Sequence, residues 1–97
     1  MRKVTKAVAV AFKCGHAKTL DNTSTDGEVL RLHGNAIARK THTGGVEIST
    51  AGWNTTTTRE RLNGIMRTYG VEGYVSQKDF GLYFNSTPWD GDWMRIY

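Results

Sequence analysis

The stretch NTTTTRERLNGIMRTYG, residues 54–70, predicts an amphipathic helix. Thr57 and Glu60 fit a capping box at its start, and Gly70 is a residue type that commonly ends a helix. Its apolar side chains recur at the i, i+3, i+4, i+7 spacing of one helix face: Leu62, Ile65, Met66 and Tyr69. This helix lies between segments with the patterns of short strands, which is typical of the α+β class.

The segment VTKAVAVAFKCG, residues 4–15, fits either a helix or a strand. Its valines favour a strand, whereas Thr5 can cap a helix and Gly15 can end one. Four apolar residues fall at helical spacing: Val4, Val8, Ala11 and Phe12. The helix is the favoured interpretation, with the strand as the alternative. The polar segment that follows, residues 15–27, is predicted to be an extended loop.

Alternation predicts a β-hairpin before the helix. In EVLRLH, residues 28–33, Leu30 and Leu32 share one face, and a bulge or bend at Gly34 would return Ile37 to the core. After a turn ending at Gly45, VEIST directs its two aliphatic residues inward: Val46 and Ile48.

Three more strands are expected behind the helix: VEGYVSQ at residues 71–77, GLYFN at residues 81–85, and one within residues 93–97. Residues 1–97 are therefore predicted to form one small α+β domain, with two helices and a mostly antiparallel sheet of about five short strands.

Composition limits the class of protein. The chain has 97 residues, of which 38% are hydrophobic and 10% aromatic, and this balance is typical of a folded domain rather than a disordered segment. Cys14 is the single cysteine, so an intramolecular disulfide is excluded and a cytosolic protein is favoured. The longest apolar run, Ala7–Phe12, is too short for a membrane span, and no membrane partner is expected.

The formal net charge is +4 and the isoelectric point is near 9.5. The charged residues are unevenly distributed along the chain. Residues 1–18 carry five cations and no acid, whereas residues 79–97 carry three aspartates and Arg95. This asymmetry fits a basic binding surface with an acidic edge, or two solvated ends that attract each other.

Several motifs together resemble a family of small uncharacterised proteins encoded by tailed bacteriophages, over residues 4–97. The marks are Leu32-His33-Gly34-Asn35 with Ile37-Ala38, Gly52-Trp53 before the threonine run, Arg61-Leu62-Asn63, Gln77-Lys78 and Trp89-Asp90-Gly91. The resemblance implies a phage origin and action in the cytoplasm of the infected bacterial host. It brings no assigned activity, ligand or catalytic residue. The segment between Met66 and Val75 is longer here than in the usual pattern.

Catalytic and metal-binding patterns are weak. The spacing of Cys14 and the histidines His16, His33 and His42 fits no zinc finger or ribbon, and no G-x-S-x-G occurs. Asp90 and Asp92 flank Gly91, which is the composition of a turn. Neither an enzyme nor a protein with a metal or cofactor is expected.

Two groups of residues are candidates for binding. Arg59, Asn63 and Arg67 lie at i, i+4 and i+8 of the predicted helix, and Arg and Asn are good donors to phosphates and base edges. Trp53 and Trp89 are candidate anchors for a protein partner, because Trp is enriched at interface hot spots. The favoured function is a non-enzymatic binding module for a host or phage protein, of the host-takeover or counter-defence inhibitor type. The alternative is a basic nucleic-acid-binding domain that uses the second helix.

Overall fold

The computed structural model describes residues 1–97, which form two helices and nine short strands. The helices are α1 (Lys3–Cys14) and α2 (Thr56–Tyr69). The strands are β1 (Lys18–Leu20), β2 (Thr23–Thr25), β3 (Val29–Leu32), β4 (Asn35–Lys40), β5 (Val46–Ile48), β6 (Val75–Lys78), β7 (Gly81–Phe84), β8 (Thr87–Pro88) and β9 (Met94–Arg95). The α+β class with two helices is confirmed, and the strands outnumber the roughly five expected from the sequence.

All strand pairs are antiparallel and lie in two sheets. The larger sheet has the order β1-β2-β3-β4-β5-β9, and the smaller one is the meander β6-β7-β8. α1 packs on α2 and on β1 to β3, while α2 also contacts β4 and β6. One cluster of 13 buried apolar residues, drawn from both helices and both sheets, forms the core. Each large aliphatic side chain buried there contributes about 1.5–3 kcal/mol.

The N-terminal segment is a helix, as favoured over the strand. Val8 and Phe12 are fully buried on its inner face. Gly15 ends α1 in the left-handed conformation, with a φ of 76°. The cap at Thr5 is wrong, because α1 begins at Lys3 and Thr5 lies inside it, 2% exposed.

The predicted central helix is confirmed, although its cap is not the expected one. Thr55 is the N-cap residue, and its hydroxyl accepts a hydrogen bond from the Thr58 backbone N–H at 3.1 Å. Thr58 therefore occupies the N3 position that the acidic residue of a capping box would need, and Glu60 lies beyond it, with its carboxylate bound to the Thr5 hydroxyl of α1. The predicted apolar face of α2 is buried at three positions and partly buried at the fourth: Leu62, Ile65, Met66 and Tyr69.

The loop predicted over residues 15–27 is wrong, since this segment contains β1 and β2. A turn at Asp21, with a φ of 54°, joins the two strands. β2 then pairs with β3, and the side chains of Thr23 and Thr25 are buried. Hydrophobic alternation does not reveal these strands, because the inward residues of β2 are threonines and all three residues of β1 are exposed.

The hairpin of β3 and β4 brings Ile37 to the core, as expected, with the chain turning at Gly34 and the bulge lying further along β4. Leu30 pairs with Ala38 and Arg31 with Ala36, so the extra residue of the bulge is Ile37 itself, not Gly34. His33 and Gly34 form the connecting turn, both with positive φ, which is the geometry of a tight two-residue hairpin.

The C-terminal half largely follows its predicted strands. Val46 and Ile48 are buried in β5, as predicted, and β9 pairs with β5 at the end of the chain. β6 begins at Val75, four residues later than the predicted start of this strand. The short strand β8 was not expected.

Candidate binding sites

Trp53 lies on the loop before α2, with 59% of its surface exposed. Its backbone N–H donates to the Thr50 carbonyl at 3.0 Å. The loop is fastened to Gly91, whose carbonyl accepts hydrogen bonds from the Thr50 N–H and the Ser49 hydroxyl, each at 2.9 Å. A Cβ atom at Gly91 would overlap the Thr50 hydroxyl, so glycine is required at this contact. The structure therefore holds an exposed indole on a fixed loop.

A groove of about 420 Å³ lies beside the Trp53 ring, and we refer to it as the Trp53 groove. Its walls include the buried side chains of Leu32 and Ile37 and the loop residue Thr50. Apart from the His33 imidazole, none of its lining residues carries an ionisable side chain. The surface is therefore suited to an apolar, uncharged segment of a partner.

The other two tryptophans take part in packing. Trp89 is half-buried, its ring lies 6.3 Å from that of Phe84, and its Nε1–H donates to the Asp92 carbonyl at 3.1 Å. The Arg39 guanidinium lies 3.9 Å from the centroid of the Trp93 ring. Among the tryptophans, Trp53 is thus the one with most of its surface free for a ligand.

The three residues of the predicted helix stripe line one cleft. Arg59, Asn63 and Arg67 face the start of β6 across a space of about 440 Å³, which we call the α2–β6 cleft. Tyr74 and Gln77 form part of its opposite wall. The helical spacing therefore placed these side chains together correctly.

Hydrogen bonds distinguish the three residues. The Asn63 side chain binds the Val75 backbone twice, because its amide nitrogen donates to the carbonyl at 2.9 Å and its oxygen accepts from the N–H at 2.7 Å. The Arg59 guanidinium donates to the carbonyl of Asn54 at 3.2 Å and to its side-chain oxygen, and also to the Thr56 hydroxyl at 3.3 Å. Arg67 is exposed and makes no hydrogen bond or ion pair through its guanidinium. Asn63 thus anchors β6 to α2, while Arg67 is available to an anion.

Sequence reasoning missed Tyr74, which is 60% exposed in the cleft wall. The sequence predicts one strand over VEGYVSQ, and the alternation of this segment indicates no special role for Tyr74. The structure instead leaves Tyr74 in the connection just before β6. Its backbone is fixed by Asn85, whose side chain accepts from the Tyr74 N–H at 2.9 Å and whose N–H donates to the Tyr74 carbonyl at 3.0 Å.

Glu60 is the one acidic residue in the lining of the α2–β6 cleft. Burial alone would raise its pKa, but hydrogen bonds from the Thr5 hydroxyl and the Arg2 backbone N–H, together with the Arg61 guanidinium, hold the pKa below its usual value. The negative charge of Glu60 is therefore compensated within the protein, and no acidic side chain pairs with Arg59 or Arg67.

The remaining reactive groups are dispersed. Cys14 is exposed, and no group of three or more His, Cys, Asp or Glu side chains is placed to hold a metal ion. Asp90 and Asp92 form a local turn, in which the Asp90 carboxylate accepts from the Asp92 N–H at 2.9 Å. Neither helix is long and apolar enough to cross a membrane.

Comparison with known proteins identifies the family. The sequence model of the protein family described as Kyanoviridae Gp96 protein matches residues 1–95. The chain therefore belongs to this family of tailed-phage proteins, and the resemblance seen in its motifs is confirmed. No curated protein and no solved structure matches the chain.

Proposed function

We propose that this phage protein is a non-enzymatic binding module that engages a host or phage protein through the Trp53 groove. The observation that carries the proposal is the 59% exposure of Trp53 beside a groove with buried aliphatic walls. Tryptophan anchors are typical of interface hot spots, where a large ring fills a desolvated contact and loses little conformational entropy. The expected setting is the cytoplasm of the infected bacterial host.

The chemistry of the groove supports a protein partner over a polyanion. Its lining consists of aliphatic, aromatic, threonine, asparagine and histidine side chains, with no Lys or Arg. An apolar side chain of the partner can contact the exposed Trp53 ring, while threonine hydroxyls of the groove offer hydrogen bonds. Binding of this kind could block a host enzyme or a defence component, which is the host-takeover or counter-defence role.

The fixed loop supports the same proposal. Because the hydrogen bonds of Ser49 and Thr50 to Gly91 already order the chain before Trp53, a partner does not have to order it on binding. Preorganisation of this kind lowers the entropic cost of association.

Affinity capture from infected cells tests the proposal, with and without nuclease, using the full chain, Trp53→Ala and the control Phe80→Ala. Phe80 is 93% exposed and lies outside the groove, so it matches Trp53 as a large exposed aromatic residue. Trp53→Ala should weaken capture of at least one protein by about 30-fold or more, the loss expected for a hot spot of about 2 kcal/mol. Phe80→Ala should retain it, and both variants should keep the parent melting temperature.

Two outcomes contradict the proposal. In one, nuclease removes every captured protein, so that the contacts run through nucleic acid. In the other, Trp53→Ala captures the same proteins in the same amounts as the parent chain.

A further inference from the structure

We propose that the α2–β6 cleft is a second binding site, specific for single-stranded nucleic acid. In this site Tyr74 stacks on a base, and Arg59 and Arg67 contact the phosphate backbone. The site is separate from the Trp53 groove, since the two share no lining residue.

The positive charge of the cleft comes from one face of α2. Arg59 and Arg67 are eight residues apart, which places them about 12 Å apart along the helix axis. Both can therefore contact the backbone of one strand that runs along α2. The guanidinium of Arg67 has no partner within the protein, and its planar donors match phosphate oxygens.

Tyr74 supplies the base-stacking element. Its ring is 60% exposed, and it takes part in none of the ring pairs seen elsewhere in the protein. Its backbone is held in place by two hydrogen bonds to Asn85, and the Asn63 side chain fixes the adjoining Val75. An exposed aromatic ring beside arginines is the arrangement that single-strand-binding proteins use to stack bases without sequence preference.

The surroundings of α2 favour a single strand over a duplex. A recognition helix must enter the major groove of about 12 Å width, but α2 is flanked by α1 and β6 and cannot lie in a groove by itself. The base faces that Tyr74 would need are covered by stacking in a duplex. Asn63, a predicted base-edge donor, has its amide occupied by the Val75 backbone, so recognition of base edges by α2 is not proposed.

Fluorescence anisotropy with labelled oligonucleotides tests the site. The probes are a 12-nucleotide oligo(dT), an oligo(U) of equal length and a duplex of equal length, each at about 50 and 200 mM salt. The full chain should bind at least one single strand more tightly than the duplex. Tyr74→Ala should weaken this binding by about 5- to 150-fold, the range measured for loss of one stacked base, while Tyr74→Phe should retain it.

Arg67→Gln tests the contact with the phosphate backbone. It should weaken binding and lower the slope of log affinity against log salt by about 0.7, because one phosphate contact on a single strand is lost. Tyr74→Ala should leave that slope unchanged, since a stacking ring releases no counterion. Trp53→Ala should leave oligonucleotide binding unchanged, so that failure of this site is distinct from failure of the protein-binding proposal.

Three results would overturn the proposal. The first is that neither single strand binds at about 50 mM salt. The second is that Tyr74→Ala binds as tightly as the parent chain. The third is that the duplex, or a poly-glutamate competitor, binds as tightly as the single strand, because the cleft would then be a general surface for polyanions.

Discussion

Arg61→Met is expected to lower the free energy of unfolding by about 3 kcal/mol, although Arg61 is a charged residue on a helix of a small protein. Arg61 is 3% exposed. Its guanidinium donates to the Thr23 hydroxyl at 2.8 Å, to the Thr5 hydroxyl at 2.8 Å and to the Asn22 side-chain oxygen at 3.1 Å, and it pairs with the Glu60 carboxylate. Arg61 thus connects α2 to α1 and to the polar strand β2.

The magnitude follows from what the substitution removes and from what it leaves unpaired. Each hydrogen bond from a charged donor contributes about 1.5–3 kcal/mol net of desolvation, and such contributions are not additive within one network. Arg61→Met also leaves the Glu60 carboxylate without its cationic partner. Removing one partner of a buried pair typically costs about 3–5 kcal/mol, and the lower end applies because the Glu60 side chain is 24% exposed and keeps two other donors.

Thermal unfolding followed by circular dichroism measures the effect, with Arg67→Met as the matched control. A loss of about 3 kcal/mol corresponds to a fall of at least roughly 12 °C in Tm for a domain of this size. Arg67 is exposed and makes no hydrogen bond through its guanidinium, so its replacement should change stability by less than about 0.5 kcal/mol. Equal melting temperatures for the two variants would refute the structural role of Arg61.

Three further predictions concern the same helix. Glu60→Gln should flatten the fall of stability at acid pH, because the folded pKa of Glu60 is lowered: its contribution is complete above the unfolded pKa of about 4.5 and is lost as pH falls through the folded pKa. A urea midpoint with the same pH dependence as that of the parent chain would contradict this. Gly64→Ala should lower the free energy of unfolding, measured with urea, by about 1–3 kcal/mol, because the alanine Cβ would overlap the Thr5 methyl group. An increase of about 1 kcal/mol, the usual effect of this substitution in an exposed part of a helix, would disprove the close approach. Asn63→Ala should release β6 and increase amide exchange at Val75, whereas unchanged protection there would show that its side chain is not the anchor.

The sequence predicted those elements whose inward residues are apolar. Leu30 and Leu32 alternate in β3, and the inward face of α2 repeats at helical spacing, so hydrophobic periodicity was sufficient to locate both elements. The strands β1 and β2 carry no such signal. The buried Thr23 hydroxyl accepts a hydrogen bond from Arg61, which lies 38 residues away in the chain. A partner so distant cannot be recognised by local pattern, and the segment therefore resembled a loop.

The sequence predicted which residues share a candidate site, but not the contacts that packing gives them. Helical spacing placed Arg59, Asn63 and Arg67 on one cleft, because spacing on a helix determines which side chains share a face. It could not show that the Asn63 amide is occupied by the Val75 backbone, nor that Tyr74 lies opposite, since both depend on where the small sheet docks. The different exposures of Trp53 and Trp89 are likewise set by packing rather than by local sequence.

Because α2 carries both residues that stabilise the fold and residues that line the cleft, only some variants are informative about binding. One helix supplies the core residue Leu62, the buried hydrogen-bonding residue Arg61 and the cleft residues Arg59 and Arg67. A substitution on its inner side would move the cleft arginines together with the helix, so a loss of binding there would not distinguish a contact from a fold defect. Trp53 and Tyr74 lie outside α2 and expose more than half of their surfaces. Their removal should leave the melting curve unchanged, and a selective loss of one ligand then assigns that ligand to one surface.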